Sequence, residues 1–345
     1  MEQSPKKRLI SVLQGRPIDK IPCLSITQTG TVELMDATGS AWPAAHSDPE
    51  KMATLALAAH KFTGLEAVRY PYCLTVLAEI MGCNVRMGTK EIQPSVLTHP
   101  FSDGPEKLKI PENLIERGRI PVVLKATEIL KARTENGTDS EIPLIAGMEG
   151  PLTVSSHLAE IKNCLIWTIK KPEYFDTFVE TCTEICIEYA NTLFEHGADV
   201  VCMPDGGIVG SRMMPSSVLE YSVKPFYKRF CKKVKGPKIL HICGDIGDSL
   251  KSLSECGFDA ISIEEKVSIK AAKESIGDKA RLIGNVSPSG TLLFGTPDAV
   301  KAEAKQCLSD GVDILAPGCG IAPRTPLANL KALVEARNEW YEEKD

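Results

Sequence analysis

From about residue 140 onward, the apolar positions alternate between two patterns. One is a series of short continuous runs: IPLIAGMEG (142–150), ADVVCMPD (198–205), KILHICG (238–244), DAISIEE (259–265), RLIGNVS (281–287) and VDILAPGCG (312–320). Between them lie stretches with helical spacing, at 172–197, 215–236, 248–257, 296–311 and 326–340. Short apolar runs that alternate with amphipathic helices predict parallel strands buried on both faces. Pro172 and Pro297 suit first-turn positions, and Gly197, Gly257 and Gly311 suit the far ends of helices. Two earlier runs, IPCLSITQ (21–28) and EAVRYPY (66–72), supply the first strands, and CNVRMGTKEIQPSVLTHP (83–100) reads as a hairpin or excursion near the mouth of the sheet. That many strand–helix units favours a closed barrel over an open sheet. No GxGxxG follows the first strand, so a dinucleotide-binding fold has no support. The expected architecture is α/β, a (β/α)8 TIM barrel with an N-terminal helical extension, forming a single domain over residues 1–345.

Composition narrows the function classes. Hydrophobic residues are 43% and charged residues 25% of the 345, the balance of an ordinary folded chain rather than a disordered one. A formal net charge of −5 offers no basic field for a phosphate backbone, which argues against nucleic acid as a partner. No apolar run reaches membrane-spanning length, and MEQSPKKRLISVLQGRP lacks the continuous apolar core of a signal peptide. The chain is therefore expected in the cytoplasm, with no membrane partner. In that reducing setting its 12 cysteines are expected as thiols, and an informative one is a metal ligand or a nucleophile.

Barrel enzymes carry their chemistry at the carboxyl ends of the strands. His241 and Cys243, two apart at the end of KILHICG, point to one face. Cys319 ends the last strand between Gly318 and Gly320. One imidazole and two soft thiolates form a zinc set with a fourth position open; the alternative is three separately packed core residues. Glu264 or Glu265, ending DAISIEE, is the candidate fourth ligand or else a solvated carboxylate. Asp205 and Asp245 are placed to orient His241 or to touch substrate. Asn285 either hydrogen-bonds substrate or caps the next helix. On the early strands, Gln28 and Thr29 end SITQTG. Arg69, inside an apolar strand, is either in a structural ion pair with Glu149 or the contact for an anionic substrate.

At these residues the chain resembles a known family. HICG, GNVSP and LAPGCGI, with the zinc-type His and two Cys, are similar to the cobalamin-dependent methyltransferases of the uroporphyrinogen decarboxylase superfamily. SITQTGTVELM, GLEAVRYPYCLTVLAEIMGC, MGTKEIQPSV, GRIPVVL and GMEGP resemble methylcobamide:coenzyme M methyltransferases, those of the methanol type above all.

The resemblance implies a barrel of the uroporphyrinogen decarboxylase type whose zinc binds the thiol of coenzyme M. It also implies a corrinoid protein, a separate carrier whose methylcobamide docks over the mouth and donates its methyl group. The family's zinc ligands fall on His241, Cys243 and Cys319, and its acidic position on Glu264, with Glu265 one register away. Arg69, Gln28, Asp205 and Asn285 are the candidates for holding cofactor or acceptor, with Arg69 facing the sulfonate. The chain has no DxHxxG run, so the corrinoid is not expected on this protein. The Gly- and Met-rich segment 203–217 departs from the Asp-Pro-type turn expected there, which leaves the preferred corrinoid protein open. Two other activities suit the same fold: methyl transfer to tetrahydrofolate, and porphyrinogen decarboxylation.

Overall fold

The computed structural model describes residues 2–135, 141–206, 208–209 and 214–343. Strand β1 (Val68–Tyr70) is followed by an antiparallel hairpin, β2 (Val85–Arg86) and β3 (Ser95–Val96). Then come β4 (Leu144–Gly147), β5 (Val200–Pro204), β6 (Lys238–His241), β7 (Ala260–Ser262), β8 (Arg281–Val286) and β9 (Ile314–Pro317). Apart from the hairpin these form one parallel sheet in the order β1-β4-β5-β6-β7-β8-β9, with helices between consecutive strands. Each predicted run from residue 66 onward thus contains a strand, and Pro172 and Pro297 each open a helix.

Alternation along the strands sorts the apolar residues into two cores. Ile145, Val200, Ile239, Ala260, Ile283 and Ile314 point inward and pack together with Leu24 and Ile26. Their neighbours Leu144, Val201, Leu240, Ile261, Leu282 and Leu315 point outward under the helices. The N-terminal helix (Pro5–Leu13) corrects the expectation of an extension. Its Leu9, Val12 and Leu13 belong to the inner core, so it is a plug built into the barrel rather than an appendage.

The segment 21–28 also departs from its predicted form. It is not a full strand but a stave with one bridge, Cys23 to Leu315, that joins β9 to the start of β1. Leu24 N donates to Leu315 O and Glu66 N donates to Cys23 O. The Cys23 N–H, however, goes to the Glu66 carboxylate at 3.0 Å rather than to a strand. Charge completes the seam: Arg8 Nη1 lies 2.7 Å from Glu66 Oε1, and Arg337 Nη2 lies 2.9 Å from the same oxygen. The N-terminal helix, the stave, β1 and the C-terminal helix (Leu327–Glu342) are thereby tied at one carboxylate. Among the described residues no helix is long and apolar enough to cross a membrane.

Candidate metal centre

His241 is the last residue of β6 and shares the inward face with Ile239. Its register partner on β7 is Ser262, and His241 Nδ1 lies 3.0 Å from Ser262 Oγ, both residues being buried. Nε2 is therefore the nitrogen left for a ligand, and it faces Cys243 Sγ at 3.3 Å. Cys319, carried past the end of β9, brings its Sγ to 3.4 Å from Cys243 Sγ. One donor atom from each of the three residues lies within 4.8 Å of the other two. This is a soft, compact, three-donor set of the kind that takes a tetrahedral d10 cation with one position open.

Two thiols this close share a proton unequally. The hydrogen bond from Cys243, and then the neighbouring His241, hold the Cys319 thiol well below its usual range. Cys243, as the donor, is pushed well above it, with burial and Glu264 adding to the effect. A cation at this point removes the conflict, because it favours thiolate at both sulfurs.

The surrounding residues sort differently from expectation. Glu264 reaches Cys243 but stands outside the compact three-residue group. Glu265 is exposed and meets Ser287 Oγ at 3.4 Å, so Glu264 is the carboxylate on the metal side. Asn285 is not among the residues that line the cavity holding His241, Cys243 and Cys319. Its Nδ2 donates to the carbonyls of Glu264 at 3.0 Å and Val267 at 2.8 Å, fixing the turn that carries Glu264. Asp205 does not orient His241. Its carboxylate accepts from Leu152 N at 3.2 Å, Thr153 N at 2.6 Å and Tyr227 OH at 2.7 Å, which caps the helix Pro151–Ala159. Asp245 accepts from Gly247 N at 3.3 Å. Gln28 clamps the loop after Cys319: its Nε2 donates to Ile321 O, and its own carbonyl accepts from Ile321 N at 3.0 Å. Of the Gly- and Met-rich segment, residues 207 and 210–213 lie outside the described residues.

Arg69 and Glu149 do not form the ion pair considered above. Glu149 accepts from Leu77 N at 2.9 Å, and burial pushes its carboxyl up to about 7. Arg69 is 2% exposed, and no Asp or Glu among the described residues pairs with it. Burial lowers its pKa, and thiols and phenols are the opposing influences. It lines a cavity of about 240 Å³ together with Thr27, Gln28, His241, Cys243 and Cys319. Leu74, Gln93, Pro204 and Cys243 also line a second, outer cavity of about 570 Å³ between the hairpin and the helix Pro151–Ala159. Among the described residues the outer wall carries Thr75, Ser95, His99, Thr153 and Ser156, one carboxylate (Glu160), and no Lys or Arg. A further cavity of about 580 Å³ involves Lys6, Arg16 and Glu135 and contains none of the metal-competent residues.

Sequence reasoning missed Ser262, Thr27 and Gln93. Ser262 had a signal, since it is the one polar residue between Asp259 and the terminal acids of an otherwise apolar run. Gln93 had none, because its place over the mouth depends on how the hairpin folds back.

Comparison with known proteins gives a consistent picture. The profile of the uroporphyrinogen decarboxylase (URO-D) family matches residues 4–340. The methylcobamide:CoM methyltransferase MtaA of Methanosarcina barkeri is 48% identical over 97% of this chain and 98% of its own. The methylcobamide:CoM methyltransferase MtbA of Methanosarcina mazei is 36% identical over 99% of both chains. Among solved structures, a methyltransferase from Methanosarcina mazei superposes with a TM-score of 0.95 at 49% identity, covering 99% of this chain and 100% of the other.

Proposed function

The chain belongs to the uroporphyrinogen decarboxylase family, and we propose that within it this protein is a zinc-dependent methyltransferase moving a methyl group from a methylated corrinoid to the thiol of coenzyme M. The observation that carries the reading is the convergence of His241 Nε2, Cys243 Sγ and Cys319 Sγ at the end of the barrel where such enzymes work. Zinc, when bound, supplies the Lewis acidity that turns a thiol with a free pKa near 8.5 into a thiolate at neutral pH.

The chain's own residues supply the rest. Ser262 Oγ, 3.0 Å from His241 Nδ1, orients the imidazole so that Nε2 is the nitrogen turned to the metal position. Two cysteine donors keep the centre electron-rich and so preserve the nucleophilicity of an acceptor sulfur. Arg69 offers a buried positive charge in the same small cavity, matched to the acceptor's sulfonate. The outer cavity suits the donor: a corrin rim carries neutral amide groups, and the wall offers hydroxyl, amide and imidazole partners. A porphyrinogen, bearing several carboxylates, needs cations, and the described residues of this wall offer none. The methyl donor is therefore a corrinoid presented by a separate carrier protein over the mouth, and the twelve free thiols suit a reducing cytoplasm.

The test joins metal content to methyl transfer. The purified chain should hold close to one zinc, and Cys243→Ala and Cys319→Ala should each lose most of it together with demethylation of free methylcobalamin. Adding coenzyme M to the loaded protein should release close to one proton near neutral pH, measured by calorimetry in buffers of different ionisation enthalpy. Metal-free protein should release none. Full zinc retention in both variants, or efficient methyl transfer to tetrahydrofolate with no metal-dependent proton release, refutes the assignment.

A further inference from the structure

Arg69 is pinned from two sides. Its Nε donates to Ile26 O at 2.8 Å and its Nη1 to Pro71 O. The rest of the guanidinium lies flat on the β4 backbone, where a Cβ at Gly147 would stand 1.8 Å from Nη2. A side chain at position 147 would displace the guanidinium from this place, so the glycine leaves room for it where the two carbonyls hold it. The other edge of the group has no hydrogen-bond partner among the described residues, and the charge has no counter-ion. A buried cation in that condition is costly unless something else completes it.

One residue beyond Ile26 stands Thr27, whose hydroxyl is also incomplete. Thr27 is 5% exposed, its Oγ1 is buried with no hydrogen-bond partner, and it lines the same cavity as Arg69. Buried hydroxyls are nearly always partnered in native proteins, so one left open in a cavity that also holds an open guanidinium points to the place of a ligand. We infer that Thr27 and Arg69 together form the subsite for the acceptor's anionic tail, a sulfonate, with Thr27 the hydrogen-bond donor that sets the preference for a charged thiol over a neutral one. The inference rests on the proposed thiol acceptor and adds to it a residue and a selectivity. The same cavity holds the metal donors and this pair, so a short thiol with a terminal anion can reach both. The N-terminal stave then has a direct role, because it carries the donor and, through Ile26 O, holds the cation.

The experiment uses a probe that cannot engage the metal. Ethanesulfonate, which has no thiol, should bind the full-length protein in calorimetry whether or not zinc is present. Thr27→Val keeps the shape and removes the hydroxyl. It should weaken ethanesulfonate about 10-fold, the scale of one lost hydrogen bond to a charged group, and Thr27→Ser should restore most of the loss. Arg69→Met should weaken it further. With free methylcobalamin as donor, the preference for coenzyme M over 2-mercaptoethanol should fall about 10-fold in Thr27→Val. An unchanged ethanesulfonate affinity, an equal loss for charged and neutral thiols, or tighter binding of propionate than of ethanesulfonate overturns the subsite. If loaded protein methylates no thiol while Thr27→Val still weakens ethanesulfonate, the proposed function falls and the subsite stands.

Discussion

Removing the Glu66 carboxylate should open the barrel at its seam. Glu66 has a side chain 9% exposed and accepts four N–H bonds: Arg8 Nη1 at 2.7 Å, Arg337 Nη1 at 3.0 Å, Arg337 Nη2 at 2.9 Å and Cys23 N at 3.0 Å. In Glu66→Ala the two arginines fare differently. Arg8 keeps Asp19, through Nε and Nη2 at 2.8 Å each. Arg337 keeps Ile21 O at 2.7 Å and Asn338 Oδ1 at 2.9 Å, with no carboxylate, while its side chain is 3% exposed. One buried guanidinium is thus left uncompensated, which costs about 3–5 kcal/mol. At about 2 °C per kcal/mol for a chain of this size, the melting temperature should fall by about 6–10 °C. Unfolding rates in denaturant give a second measure if thermal unfolding is irreversible. Hydrogen exchange should accelerate first at Cys23 and Leu24, whose amides are held at the seam. In an Arg337→Met background the same substitution should cost much less, because the stranded charge is gone. A loss below about 1 kcal/mol, or an equal loss in both backgrounds, refutes the charge-locked seam.

Two further outcomes are expected. Ser262→Ala leaves His241 Nδ1 without its buried partner, so metal affinity measured by chelator competition should fall about 10- to 100-fold, with Ser262→Thr recovering part of it; an unaltered affinity refutes the orienting role. Glu149, raised from 4.5 to about 7 by burial, stays protonated in the native state at pH values where the unfolded chain has already ionised. Native chain then binds more protons than unfolded chain, so this residue's contribution to stability falls as pH rises from about 4.5 to 7 and is lowest above that. Glu149→Gln removes the titration, and its melting temperature relative to the parent should therefore improve between pH 5 and pH 8. A gap that does not change with pH contradicts it.

The strands were legible in the sequence because a parallel strand buried on both faces must be apolar along its length, and the runs from residue 66 onward have no other use. The same logic pointed His241 and Cys243 to one face, and although Cys243 lies past the end of β6 its Sγ comes to 3.3 Å from His241 Nε2. Cys319 was legible as a strand-end thiol, but only barrel closure brings its sulfur to 3.4 Å from Cys243. The stave at 21–28 looked like a strand by composition; tertiary structure gave the Cys23 amide to Glu66 instead, and charge took over from strand pairing. Arg69 and Asp205 show the limit most clearly. Each is a charged residue in an apolar run, and local pattern treats them alike. Asp205 is consumed by the amides at the start of the helix Pro151–Ala159, while Arg69 meets a glycine, two carbonyls and an open cavity. Periodicity decides which way a side chain points. What it meets is decided by elements far away in the chain, and for a buried charge that partner separates a structural residue from a binding one.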